Sequence, residues 1–265
     1  MNAVILAFSA AFFGVVTALI ALWRERRCLA IWLFAAGMAL LALESVFSGL
    51  NENALLAEDK MYWENWAVVT TAFLGGTWLS FSLTYARGNY REFLAKWRFV
   101  QGAAYALPVA AVILSQGHAL AAVTPDAGGQ WLFHLNLAGQ IVFSVYLVAA
   151  VLVLMQLERT FWASVGTMRW RIKFMVLGLA ALLTLQVYTT SQGLLFHGLN
   201  SSQTVIASGA VLLGCLLMLR SLFRRSSEVA VYPSHADLHK SLAIGESKWR
   251  RNCSGAGAAS RPHAS

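Results

Sequence analysis

FMVLGLAALLTLQVYTTSQGLLFHGLNSSQTVIASGAVLLGCLLML, residues Phe174–Leu219, runs for 46 positions without an Asp, Glu, Lys or Arg. At 1.5 Å per residue a single helix through all of it would be roughly 69 Å long, more than twice the roughly 30 Å of a bilayer core. The run therefore has to turn once. The polar sequence His197-Gly-Leu-Asn-Ser-Ser202 near its middle supplies the turn, which leaves two crossings, Phe174–Phe196 and Val205–Leu222.

The same rule applied to the rest of the chain finds five more bare stretches. Asn2–Trp23 stops at Arg24-Glu-Arg-Arg27, and Cys28–Leu50 carries Glu44, the one formally charged side chain that this partition puts inside a crossing. Trp66–Ala86, Phe99–Gly117 with Pro108 near its middle, and Trp131–Leu157 complete the set. The first stretch does not read as a cleaved signal peptide, since no basic residue precedes it and no small-residue cleavage site precedes the arginines. Seven crossings consume about 140 residues, which leaves little for a folded domain outside the membrane. Composition agrees: 58% of residues are apolar and 12% charged, against roughly 25% charged in soluble domains. A soluble globule, a disordered chain and, with three cysteines, a disulfide scaffold are excluded. The expected fold is all-α, a polytopic membrane bundle of seven transmembrane helices over residues 1–225. A cytoplasmic linker at 226–245 and a low-complexity basic tail at 246–265 are expected to follow.

The basic residues orient this bundle, because Lys and Arg collect in short cytoplasmic loops. Arg24, Arg26 and Arg27 follow the first crossing, Arg87, Arg91, Lys96 and Arg98 the third, Arg159, Arg169, Arg171 and Lys173 the fifth, and Arg220, Arg224 and Arg225 close the seventh. The alternate loops hold Lys60 alone, among Glu52, Glu58, Asp59 and Glu64. Counting the tail, 19 of the 20 basic residues lie on one side, so the N-terminus is expected outside and the C-terminus in the cytoplasm of an inner-membrane, multi-pass protein. The +8 net charge then needs only membrane lipids as a partner and no nucleic acid. Trp63, Trp66, Trp131, Trp162 and Trp170 near the span ends suit interfacial anchoring. Cys28 and Cys253 fall on the reducing side and Cys215 in the last crossing, so no disulfide is expected. A homodimer is an assembly the sequence leaves open.

Familiar chemistry is hard to find. The last two crossings contain no Lys for a retinal Schiff base, and no phosphate loop, nucleophile elbow, HExxH helix or metal-ligand pairing is present. His235 and His239 are four apart without an acidic or cysteine partner. No cofactor and no catalytic residue is expected. What remains is polarity inside the membrane, where ionisable groups are costly and usually face the bundle interior. Glu44 lies six residues before the outer end of its crossing, where it serves either as a helix-to-helix hydrogen-bonding group or as part of a ligand or proton-sensing site. The sixth crossing adds Gln186, Tyr188, Thr189, Thr190, Ser191 and Gln192. Gln186, Thr189, Thr190 and Gly193 follow the i, i+3, i+4, i+7 spacing of one face, with Tyr188 and Gln192 on a neighbouring one. The stripe is either interhelical glue or a pocket wall. Glu44, Gln186, Tyr188 and Gln192 are the candidate sensing residues.

Four stretches carry a resemblance. LTYARGNYREFL at 83–94, LERTFWASVGTMRWRIKFMVLG at 157–178, YTTSQGLLF at 188–196 and VYPS at 231–234 closely resemble the N-terminal membrane region of PrsK, the histidine kinase family of the PEP-CTERM/exosortase system in Gram-negative bacteria. The likeness covers roughly residues 1–243. It implies the input region of a two-component sensor kinase, whose full-length form works with ATP and a response regulator and is linked to exopolysaccharide and protein export. A kinase of that kind should continue into phosphoacceptor and ATP-binding parts, and neither a His-Glu box nor an Asp-x-Gly-x-Gly lid occurs here. The expectation is an input module cut off before its kinase by a frameshift or early stop. The competing classes are a small ion- or proton-coupled transporter, with Glu44 as the cation site and Gly75-Gly76 allowing close packing or a break, and a purely structural membrane anchor.

Overall fold

The computed structural model describes residues 2–24, 29–85, 90–116, 118–125, 131–163, 167–196 and 198–228. Residues 1–222 form one compact unit and 223–265 a second, of which only the residues up to Glu228 are described. The expected basic tail and most of the expected linker lie outside the described residues.

Among the described residues, seven helices are long and apolar enough to cross a membrane: α1 (Asn2–Arg24), α2 (Leu29–Asn53), α3 (Ala57–Thr84), α4 (Tyr90–Leu114), α5 (Leu137–Ala163), α6 (Thr167–Leu195) and α7 (Ser201–Glu228). α1 shows how such a bundle assembles. Its buried face is made of Ala7, Ala10, Ala11, Gly14, Thr17, Ala18 and Ala21, while Ile5, Phe8, Phe12, Val15 and Leu19 are exposed on the other. Lipid tails are as apolar as leucine, so burying large side chains against protein gains little, and close approach of backbones at small residues holds the helices instead. α6 and α7 meet in this way: a Cβ placed on Gly178 would lie 3.2 Å from the Gly214 carbonyl oxygen.

α3 is the central helix, buried almost continuously from Ala67 to Thr84 and packed against α2, α4 and α5. It can be buried despite its many hydroxyls because these are satisfied within the helix. Thr70, Thr71, Thr77, Ser80, Ser82 and Thr84 each donate to a carbonyl three or four residues earlier, at 2.8–3.0 Å. Gly76 faces the Tyr105 ring so closely that an added Cβ would come within 2.6 Å of it. The Gly75-Gly76 pair thus serves close packing, and α3 runs through it unbroken. That weighs against the transporter class, whose sites are typically built from discontinuous helices.

Several helices run past the expected crossings, α4 and α6 starting at Tyr90 and Thr167 rather than Phe99 and Phe174, and two differences bear on the site. α3 starts at Ala57 rather than Trp66, since Glu58 and Asp59 sit in its first turn, where the helix dipole favours acidic groups. Trp131–Leu135 is not the start of the fifth crossing but a strand. β1 (Leu120–Pro125), β2 (Trp131–Leu135) and β3 (Gly198–Asn200) form an antiparallel sheet in the order β1-β2-β3, with Phe133 opposite both Val123 and Leu199. Within WLFHL, Phe133 and Leu135 are buried and alternate with less buried positions, the period-two pattern of a strand. Asn136 then starts α5, its Oδ1 accepting from Leu137 N at 2.7 Å. Asn65 on α3 ties the sheet down by accepting from the backbone N–H groups of Ala119 and Leu120 at 2.9 and 3.2 Å.

Candidate functional site

At the sheet end of the bundle a cavity of about 90 Å³ opens between helices. α2 contributes Glu44 and Ser48, α3 contributes Glu64, Ala67, Val68 and Thr71, α5 contributes Phe143 and Tyr146, α6 contributes Gln186, Thr189 and Thr190, and α7 contributes Gln203, Thr204 and Ala207. Phe133 from the sheet also lines it.

A chain of hydrogen bonds crosses three of these helices. Tyr146, buried on α5, donates its hydroxyl to Gln186 Oε1 on α6. With that oxygen occupied, the Gln186 amide nitrogen is free to serve Glu44 on α2, to which the side chain is hydrogen-bonded. The Thr71 hydroxyl lies 3.5 Å from Glu44 Oε1 and donates more directly to the Ala67 carbonyl at 3.0 Å. Glu64 is held separately: Asn51 Nδ2 donates to its Oε2 at 2.7 Å, and Lys60 Nζ donates to the Asn51 carbonyl oxygen at 2.8 Å. Lys60 is 6% exposed and its ammonium lies 5.9 Å from the Trp131 ring centre. The one basic residue of the acidic loops is therefore buried beside the cavity.

The structure brings Glu44 and Gln186 into direct contact, with Thr189 and Thr190 on the same wall. Tyr188 is 52% exposed, and Gln192 is not part of the lining. At about 100° per residue Tyr188 and Gln192 lie about 200° and 240° around α6 from Gln186, which turns them away from the cavity. Of the two faces of the stripe only the Gln186 face reaches the site. Glu64, Tyr146 and Gln203 were missed. Glu64 was hidden in an acidic stretch that resembles a solvated loop, yet Glu64, Ala67, Val68 and Thr71 carry the same i, i+3, i+4, i+7 spacing and all four line the cavity. Tyr146 and Gln203 have no comparable signal in the sequence.

A second polar cluster joins α3 to α4, where Gln101 Nε2 donates to Ser80 Oγ at 2.5 Å and the Tyr105 hydroxyl lies 3.3 Å from the same oxygen. It reads as interhelical glue. Among the described residues no group of three or more His, Cys, Asp or Glu is placed to hold a metal ion. Cys215 is a buried free thiol, and Cys28 and Cys253 lie outside the described residues.

Residues 5–229 match the family described as the N-terminal 7TM region of histidine kinase. No curated protein and no solved structure matches the chain. Because the family match starts inside α1 and runs past the end of α7, it takes in every crossing, and the chain belongs to the N-terminal seven-transmembrane regions of histidine kinases.

Proposed function

We propose that this membrane sensor region reads its stimulus in the Glu44–Gln186 cavity and that it is the input domain of a PrsK-like kinase of the PEP-CTERM/exosortase system. The observation that carries the sensing site is convergence: five of the seven helices and the sheet supply the cavity wall. An occupant that prefers one packing of those helices over another biases the equilibrium between them, which is all a ligand can do. The PrsK reading is supported by the four sequence stretches that resemble that family, parts of which, among them residues 86–89, 164–166 and 231–234, lie outside the described residues. In the full-length family the shift would reach the ATP-binding part and, through it, a response regulator.

The basic residues support an inner-membrane arrangement in which the cavity end faces outward and α7 leads into the cytoplasm. A phosphatase reporter joined after Phe223 should be inactive, and one inserted in the β1–β2 connection active; the opposite pattern reverses the orientation. Joining residues 1–229 to a histidine-kinase core tests the site. Glu44→Gln should change autophosphorylation about fivefold or more, the lower end of typical coupling between sites. Output identical to the parent fusion would remove the cavity from signalling.

A further inference from the structure

Building on the sensor reading above, we propose that the cavity binds a small primary ammonium ion, with its N–H groups shared among Glu44, Glu64 and Gln203. Several hydrogens on the wall are already used. The Tyr146 hydroxyl is given to Gln186, the Thr71 hydroxyl to the Ala67 carbonyl, and the Thr189 hydroxyl to the Gln186 carbonyl at 3.1 Å. Two buried acceptors remain without a donor among the described residues. Gln203 Oε1 is buried on the wall without a hydrogen-bond partner among the described residues. Behind the wall, Oδ1 of Asn51 is also buried without a partner among the described residues, on a side chain 2% exposed whose amide nitrogen holds Glu64. Buried acceptors left without donors are costly, so this wall is complementary to a donor-rich guest.

Charge and size narrow the guest. A bound cation would hold both carboxyl groups of the wall ionised; Lys60, beside the cavity on the Asn51 carbonyl, offsets one of the two negative charges and one monocation the other. A divalent metal is a poorer match, since metal sites of that kind draw on more carboxylates and the described residues offer no cluster of three. At the roughly 30 Å³ that one water takes up in the liquid, the 90 Å³ holds about three such groups, the size of a short alkylammonium. Phe133, Phe143 and Val68 supply an apolar flank for its carbon chain.

The test is calorimetric titration of the full chain in lipid nanodiscs with propylammonium chloride at constant ionic strength. Saturable binding is expected, absent with propanol, which lacks the charge, and with tetramethylammonium, which lacks N–H donors. Glu44→Gln should weaken it tenfold or more, and Gln203→Met, which leaves both carboxylates in place, at least threefold. Equal competition by sodium chloride would make the site a general cation site and overturn the proposal. Failure of the parent chain to bind, or binding untouched by either variant, would overturn it too. If Glu44→Gln still alters output of the kinase fusion in that case, the sensing cavity stands and only the ligand class falls; if it does not, both fall.

Discussion

Replacing Trp78 with alanine is expected to lower the unfolding free energy of the bundle by about 3 kcal/mol, at the lower end for a fully buried large aromatic. Trp78 is 0% exposed on α3, six residues before its C-terminal end. Its ring fills the notch left by Gly37 on α2, where an added Cβ would come within 3.0 Å of ring atoms. It also packs edge-on against Phe34 and Phe81, with centroids 6.2 and 5.8 Å away. The cost is mainly lost packing, because lipid solvates an apolar side chain about as well as the core does. Trp78 Nε1 has no hydrogen-bond partner among the described residues, so Trp78→Phe removes an unpaired buried donor along with part of the ring. It should cost clearly less than alanine. Denaturant titration in mixed detergent micelles measures both; a phenylalanine variant no more stable than the alanine one would contradict the account.

Gln186→Leu should destabilise by a further distinct route, about 2–6 kcal/mol. Gln186 is 5% exposed and bridges Tyr146 and Glu44, so leucine strands two buried polar groups at about 1–3 kcal/mol each. Tyr146→Phe removes only the donor and leaves one amide oxygen short, so it should cost less. In the double variant the two losses should fall short of their sum, since both changes break the same bond. Additive losses in the same micelle titration would mean that the three side chains do not act as one network.

The two variants probe different kinds of information. The notch for Trp78 is invisible in a hydropathy reading, which sees a tryptophan and a glycine 41 positions apart in sequence and has no way to pair them. The Gln186 face was visible, because helical periodicity alone groups Gln186 with Thr189 and Thr190. Periodicity could not say whether that face met protein or lipid. It therefore gave equal standing to Tyr188 and Gln192, which turn away from the cavity. Glu64 was lost for another reason: a helix that begins in an acidic loop has no boundary in charge, and α3 starts nine residues before the apolar run does. The strand at Trp131–Leu135 was absorbed into a crossing because an uncharged pentapeptide is short enough to satisfy either period.

By itself the sequence determined that the chain crosses a membrane seven times and where its polar helix faces lie. Hydrocarbon tolerates neither charge nor unpaired backbone, so bare stretches of sufficient length must be helices. Only the tertiary structure decided which of those faces meet. Glu44, Glu64, Tyr146, Gln186 and Gln203 come from five helices spread across about 160 residues. Helix association inside lipid depends on the close fit of small side chains rather than on hydrophobicity, and fit is a property of surfaces in three dimensions.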